Sequence, residues 1–217
     1  VTFTVAERCL PSGAITCTPA QLTSANAASW PDVPFDLICT SSSTCPSQVS
    51  PSFFTRKRLT TITTHAFVSG SYQNVDQWVL KHTFPDPGDG LDPTLWLDGI
   101  SHKGLVGGEV TLPDVTFHGV QMANRVDVIG DVAPPMNRYR IEAINTEAGA
   151  TISVNYTPKD CTPTSLPASP DSNTRSCFPV MWTPEGASAP ILEYFHKYLV
   201  TSVVADGRDD QSLATET

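Results

Sequence analysis

The sequence predicts an all-β protein built mainly from antiparallel sheet, as a shell-like sheet or a sandwich. Three observations favour this class. Only 16% of the residues are charged, and Thr, Ser, Pro and Gly fill much of the remainder. Thr and Val favour strands, whereas Pro and Gly mark turns. Several segments alternate apolar and polar residues with period two, and no heptad repeat or long amphipathic helix interrupts them.

Residues 1–53 are predicted to form a cysteine-pinned N-terminal wrap around the following domain. Cysteines occur in three couples along the whole chain, with intervals of 8, 6 and 16 positions. The even number and the Ser/Pro-rich segments between partners indicate disulfides rather than a zinc site, because no C-x-x-C motif occurs. Pairing by proximity is an interpretation, since six cysteines permit 15 connectivities. The predicted disulfide residues are Cys9, Cys17, Cys39, Cys45, Cys161 and Cys177.

Residues 54–206 are predicted to form the antiparallel β-domain. In "WVLKHTF", Trp78, Leu80, His82 and Phe84 share one face of a strand. The segments "FFTRKRLTTITTHAF", "LWLDGISHKGL" and "EVTLPDVTFHGVQM" are further strand candidates. A β-hairpin is predicted where "NRYRIEAI" and "TISVNY" flank the glycine-containing segment "NTEAGA".

The C-terminal part of the domain begins with a Pro/Ser-rich loop over residues 157–177. The segment "SAPILEYFHKY" predicts one short helix near residues 190–197, with Pro190 in its first turn and Ile191 and Phe195 on one face. "YLVTSVVAD" then predicts a last strand. Residues 207–217 are predicted to be a polar tail.

Composition excludes several classes of partner. The formal net charge is −9 and no run of Lys or Arg provides a phosphate-binding stripe, so a nucleic-acid partner is not expected. No apolar run reaches the roughly 20 residues that a membrane-spanning helix needs. Disulfides are typical of oxidising compartments, so we expect a secreted or cell-surface protein.

Four groups of residues are candidates for chemistry or binding. Cys177 with Glu185 and His196 would suit a thiol nucleophile, but Cys177 has Cys161 as a disulfide partner in sequence. The segment "FPDPGDGLDP" repeats Asp every third position, which suits either a calcium site or a Pro/Gly/Asp turn. No other cofactor is predicted. The calcium candidates are Asp86, Asp89 and Asp92.

Aromatic residues offer a second kind of site, because exposed aromatic rings stack on sugars, although the same residues often build cores. The candidates for such binding are Trp30, Trp78, Trp96 and Trp182. Glycoside hydrolysis would need two facing carboxylates, and no motif singles out a pair. The available carboxylates include Glu109, Asp114, Glu142, Glu147, Glu185 and Glu193.

Four strings resemble actinobacterial Rhs/YD-repeat proteins, in the region just upstream of the YD repeats. They are "TFPDPGDG", "LWLDGISHKGLVGGEVTLPDVTFHGVQMANRVD", "RIEAINTEAGATISVNY" and "CFPVMWTPEGASAPILEYFHKYLVTSVVAD", and the similar region spans roughly Cys9 to Asp206. Rhs proteins, like insecticidal toxin complexes and teneurins, coil a long β-sheet into a hollow shell. In the polymorphic toxins of this class the shell encloses a C-terminal effector.

The resemblance implies a non-catalytic, structural segment of such a shell, with the rest of a parent chain or a toxin/effector region as its partner. The chain contains no full G-x3-Y-x-Y-D-x2-G-R repeat, and "ADGRDD" keeps a trace of one. A self-cleaving DPxG-type motif is absent as well. Two alternatives remain open: a stand-alone secreted module that binds carbohydrate or a surface partner, and a secreted hydrolase.

Overall fold

The structure is a computed structural model whose described residues are mainly antiparallel β-strands, so the predicted all-β class is confirmed. The helices among the described residues are short 3-10 turns at Pro19–Gln21, Ser24–Ser29 and Pro170–Ser172. None of the helices in this described part has the length and apolar character needed to cross a membrane. The described residues are 1–35, 54–128, 130–131, 133–184, 188–207 and 213–216.

The chain divides into two compact units. The first unit comprises Val1–Pro85 and Asp92–Leu112, and the second comprises Asp86–Leu91 and Pro113–Thr217. The short segment "FPDPGDGLDP" is therefore shared, with Asp86 and Asp89 in the second unit and Asp92 in the first.

The first unit contains an antiparallel sheet in the order β1-β2-β3-β4, with β5 paired to β4. Its strands are rich in the β-branched and aromatic residues that suit a pleated surface. Their bounds are β1 Thr2–Glu7, β2 Lys57–Val68, β3 Ser71–Thr83, β4 Trp96–Gly104 and β5 Val110–Thr111.

A two-residue turn joins β2 to β3. Ser69 and Gly70 both have positive φ, of 52° and 88°, which is the backbone that a tight hairpin of type I′ requires. The turn fixes the register, so that Phe67 lies opposite Tyr72 and Val68 lies opposite Ser71.

The second unit contains a sheet in the order β6-β7-β8-β11-β12 and a separate β9–β10 hairpin. The predicted β7–β8 hairpin is present, and Gly149 takes a φ of +87° in its loop. The bounds are β6 Val115–Ala123, β7 Asn137–Asn145, β8 Thr151–Tyr156, β9 Cys177–Trp182, β10 Ile191–His196, β11 Val200–Asp206 and β12 Leu213–Glu216.

The predicted helix near residues 190–197 is wrong. Ile191–His196 forms β10, in which Ile191 pairs with Trp182 and His196 pairs with Cys177. The run "ILEYFH" is short and apolar, and such runs fit a strand as well as a helix. Here Tyr194 and His196 are buried on one face, while Phe195 on the other face contacts the rings of Phe178 and Trp182.

Part of the predicted polar tail is also a strand. In β12, Ala214 pairs with Ala205 and Leu213 pairs with Asp206 of β11. The pairing gives the backbone of residues 213–216 hydrogen-bond partners that the polar composition of the tail did not indicate.

Burial is concentrated in two small cores beside the sheets. The N-terminal core consists of Cys9, Trp30 and Val33, with Ile15, Cys17 and Leu22 packed against it. The C-terminal core consists of Val126, Cys161, Cys177 and Tyr194. By contrast, no residue of β3, β7, β8 or β11 is buried in the described chain.

Candidate functional site

A candidate site lies where the chain leaves β6 and meets the β9–β10 hairpin. Arg125 forms an isolated antiparallel bridge with Phe195. The backbone N–H of Val126 donates to the carbonyl of Tyr194 at 2.8 Å, and the N–H of His196 donates to the carbonyl of Asn124 at 2.7 Å. These bonds hold β10 against residues 124–126.

The Arg125 side chain is fully buried at this junction and is saturated with acceptors. Its Nη2 contacts Asp127 Oδ1 at 2.5 Å, and its Nη1 and Nη2 donate to the two Asp131 oxygens at 2.9 and 2.8 Å. Nη1 also donates to Glu193 Oε2 at 3.1 Å. Nε donates to the carbonyl of Pro134, and Nη2 also contacts the carbonyl of Ala133.

Hydrogen bonds and charges within this cluster shift the pKa values of Arg125 and Asp131. Burial opposes the charged guanidinium, but hydrogen bonds and charges from Asp131 and Glu193 outweigh it and raise the pKa of Arg125. A hydrogen bond from Arg125 lowers the pKa of Asp131. One guanidinium therefore faces three carboxylates, and the cluster has an excess of negative charge at neutral pH.

An open groove of about 460 Å³ borders this cluster. Asp89 is held at its rim, because its Oδ2 accepts a hydrogen bond from the Asn137 N–H at 2.6 Å and its Oδ1 accepts one from the Leu91 N–H at 3.2 Å. Met136 has a φ of 56°, a left-handed conformation that is uncommon for residues other than Gly. The lining residues are Asp89, Gly90, Leu91, Asp131, Ala133, Pro134, Met136, Trp182 and Pro184.

The groove presents both an aromatic ring and carboxylate groups to a ligand. Trp182 supplies an aromatic wall and makes an edge contact with Phe195, with ring centroids 6.2 Å apart. Asp89 and Asp131 supply acceptors. The described lining residues include no hydroxyl, thiol or imidazole group, so the groove combines an aromatic surface with carboxylates and lacks a side-chain nucleophile other than these.

Two of the three predicted cysteine couples form disulfides. Cys9 bonds to Cys17 and Cys161 bonds to Cys177. The third couple, Cys39 and Cys45, lies outside the described residues. Because Cys177 is oxidised, it has no thiol to act as a nucleophile with His196, which lies directly opposite it across β9 and β10. Glu185, the third member of that hypothetical site, also lies outside the described residues.

His196 is nevertheless an unusual residue. It is 7% exposed, and its Nδ1 has no hydrogen-bond partner among the described residues. Burial, followed by the positive charges of Lys159 and Arg140, lowers the pKa of His196. Arg140 lies over the ring of Tyr198, 4.7 Å from its centroid, and the His196 ring lies 5.6 Å from the same ring. The neutral imidazole is therefore favoured in the folded protein.

The four tryptophans lie in different environments. Trp30 is 1% exposed in the N-terminal core, where its Nε1 donates to Glu7 Oε2 at 3.2 Å. Trp78 stacks on His102 with centroids 4.7 Å apart, and Trp96 is half-buried in β4. Only Trp182, which is in the second unit, lines the groove described above.

The aspartates proposed for calcium act as turn acceptors. Asp86 Oδ1 accepts a hydrogen bond from the Gly88 N–H at 2.8 Å, and both oxygens of Asp89 accept backbone donors. Asp92 belongs to the other unit and is exposed. Within the described residues, no group of three or more His, Cys, Asp or Glu side chains is arranged to hold a metal ion. Calcium binding stays a prediction.

Sequence reasoning missed Arg125. A local signal was present, because "NRVDVIGD" places Asp two and six positions after Arg125. The third carboxylate, Glu193, is 68 positions away, and only the fold brings it to the guanidinium.

Comparison with known proteins gives no guide to this site: no protein-family model, curated protein or solved structure matches the chain.

Proposed function

We propose that the chain is a non-catalytic, structural β-segment of a secreted Rhs/YD-repeat-type protein, which helps to form a shell that encloses or presents a toxin or effector region. The observation that carries this proposal is the lack of buried residues along four strands of the sheets. An isolated antiparallel domain covers at least one face of its sheet with a second layer. The structure describes every residue of β3, β7, β8 and β11, and none of these residues is buried.

One face of the second sheet shows what such a covering layer would contact. An open groove of about 520 Å³ runs over β6, β7 and β8. Its lining includes the apolar side chains of Val120, Met122, Val154 and Tyr156 and the polar side chains of Glu142, Ser153 and Asn155. Covering half-exposed apolar side chains of this kind contributes roughly 25 cal/mol per Å². In the proposal, further segments of the parent chain supply that cover.

The disulfides support the secreted part of the proposal. Cys9–Cys17 and Cys161–Cys177 pin loops next to the two cores. Such bonds persist in oxidising compartments and are rare in reducing ones. In a shell that works outside the cell, they would hold the segment together before its neighbours are in place.

Amide hydrogen exchange on the isolated, oxidised chain, read by mass spectrometry, tests the proposal. Sheet amides without a covering layer open locally at low cost. We expect fast exchange in β3, β7, β8 and β11, and slow exchange at Val126 and in β9–β10. Protection of the sheets equal to that of the two cores would identify a self-sufficient domain and overturn the shell proposal.

The groove beside Trp182 favours a second candidate function, which is carbohydrate binding by a stand-alone module. An aromatic wall and adjacent carboxylates are the groups that contact the faces and hydroxyls of sugars. A glycan array with W182A tests this function. Its matched control is M181A, because Met181 is the neighbouring residue of β9, is 63% exposed and lies outside the groove lining. Binding that is lost in both variants, or in neither, would contradict a site at this groove.

A further inference from the structure

The tip of the β2–β3 hairpin is an exposed apolar feature of the first unit. Each residue from Ala66 to Asn74 is exposed. Phe67 is 65% exposed, Val68 is 51% exposed and Tyr72 is 74% exposed. The Phe67 and Tyr72 rings meet edge to face with centroids 5.2 Å apart, so the two exposed rings form one contiguous apolar surface.

The tip of the hairpin and the strand residues next to it include no acidic or basic residue other than His65. Residues 59–75 contain no Asp, Glu, Lys or Arg, whereas Lys57, Arg58 and Asp76 lie outside this range. The other polar groups near the tip are Ser, Gln and Asn, and Gln73 Nε2 donates to Ser71 Oγ at 2.8 Å. No Asp, Glu, Lys or Arg side chain at the tip would lose its hydration if the tip entered a less polar medium.

The backbone of the tip is also suited to such a medium. The turn at Ser69 and Gly70 brings Val68 opposite Ser71, and the antiparallel register runs on through Phe67 and Ala66. The backbone groups that face between the two strands are paired, whereas those on the outer edges of the tip need water, so the tip suits the hydrated boundary of a bilayer and not its hydrocarbon core. Tyr is enriched at the membrane–water interface, and Phe is among the residues that interfacial segments bury at the boundary of headgroups and acyl chains.

We propose that Phe67, Val68 and Tyr72 form a docking tip that enters the interfacial region of a lipid bilayer with a zwitterionic surface. The charge of the chain favours this surface over an anionic one, because the net charge of −9 repels anionic lipid. The proposal goes beyond the shell function, because it concerns only the end of the hairpin past Thr63 and before Asp76, where β1 and β4 no longer pair with it.

Flotation with phosphatidylcholine vesicles tests the docking tip. The wild-type chain is expected to float with the vesicles, and F67S/Y72S is expected to lose at least about tenfold in partitioning because it removes the two aromatic rings. S71E keeps both rings and adds a charge opposite Val68, so a clear loss is expected here too. Circular dichroism checks that each variant keeps its strands.

V106S is the matched control. Val106 is 74% exposed beside the β4–β5 turn, but this turn is flanked by the Lys103–Glu109 ion pair, with Nζ and Oε1 2.7 Å apart. Its substitution should leave partitioning unchanged. The proposal is overturned if the wild-type chain does not float, or if V106S loses as much as F67S/Y72S. It is equally overturned if F67S/Y72S abolishes self-association in sedimentation without any vesicle binding, because the tip would then be a protein contact.

Discussion

Among the described residues, the first unit buries the carboxylate of Glu7 and the second unit buries the guanidinium of Arg125, two groups of opposite charge. In the first unit Glu7 accepts a hydrogen bond from Trp30 and contacts Lys57 and, at 3.9 Å, Arg56. In the second unit Arg125 is surrounded by carboxylates and carbonyls. Glu7 accepts a hydrogen bond from one neutral donor, Trp30, and contacts two cations, Lys57 and Arg56. The Arg125 guanidinium instead donates to a set of carboxylate and carbonyl oxygens.

The two sites differ in what would remain if the charge of Glu7 or of Arg125 were removed. The cations around Glu7 are 37% and 43% exposed, so water still reaches them if the carboxylate is lost. The partners of Arg125 are less exposed, at 18% for Glu193 and 27% for Asp131, and they are like charges held together. Loss of the central ion therefore leaves repulsion in the second unit and hydrated lysine and arginine in the first.

The largest effect is expected from R125M. The substitution leaves three carboxylates and two carbonyls without their donor, so the second unit should lose about 3–5 kcal/mol of unfolding free energy. Urea unfolding followed by exchange at Val126 and β10 measures this loss. R138M is the control, because Arg138 donates to the carbonyl of the neighbouring residue, Asn137, and it should change stability by less than about 0.5 kcal/mol. A loss below about 1 kcal/mol for R125M would mean that the cluster does not support the junction.

Removal of the disulfides is expected to rank next. Their loops span 16 and 8 positions, so loop-closure entropy predicts a loss of about 3 kcal/mol for C161A/C177A and about 2.5 kcal/mol for C9A/C17A. Chemical denaturation of the two double variants gives the comparison. A larger loss for the shorter loop would show that packing around Cys9 and Trp30, and not loop closure, sets the difference.

A smaller effect is expected from E7Q. Gln retains an acceptor for Trp30 Nε1 but loses the attraction to Lys57 and Arg56, so the first unit should lose about 1–2 kcal/mol. Thermal unfolding at low and high salt measures it. The comparison between the units fails if E7Q costs as much as R125M.

The smallest effect is expected from pH, and it acts on both units in the same direction. Burial, then Arg58, lowers the pKa of His82 in the first unit, and burial, then Lys159 and Arg140, lowers the pKa of His196 in the second. A histidine whose folded pKa is depressed binds fewer protons when folded. Its contribution to stability is therefore complete above the unfolded pKa of 6.5 and is lost as the pH falls below it.

Unfolding curves between about pH 7.5 and about pH 5 check this direction. H196Q should flatten the pH dependence of the second unit and leave that of the first, and H82Q should do the reverse. An unchanged slope in both variants would assign the pH dependence to other groups.

The sequence predicted the elements whose signals are local. Alternation identified β3 around Trp78, and the segments beside "NTEAGA" predicted the β7–β8 hairpin with its glycine-containing loop. Proximity predicted Cys9–Cys17 and Cys161–Cys177. In each case the partners are near in sequence, so chain geometry alone limits the alternatives.

The failures concern contacts between distant segments. The residues 191–196 follow a helical spacing as well as a strand spacing, and the choice is made by pairing with β9 and by the Arg125–Phe195 bridge. The groove joins Asp89 to Trp182 across the fold of the second unit, and no short-range pattern links them. Trp30 and Trp182 have the same side chain, yet one is core and the other lines a groove, because burial is a property of the folded neighbourhood.

The bond between Cys161 and Cys177 has a consequence for a chain that meets proteases. The loop it closes is largely exposed and rich in Ser and Pro, from Thr162 to Ser172, which is the kind of segment that proteases cut first. A single cut there leaves two polypeptides that remain covalently joined, with β8 on one and the β9–β10 hairpin on the other. The oxidised molecule can thus carry a nick in its backbone and still keep the sheet and the hairpin in one piece until a reductant releases them.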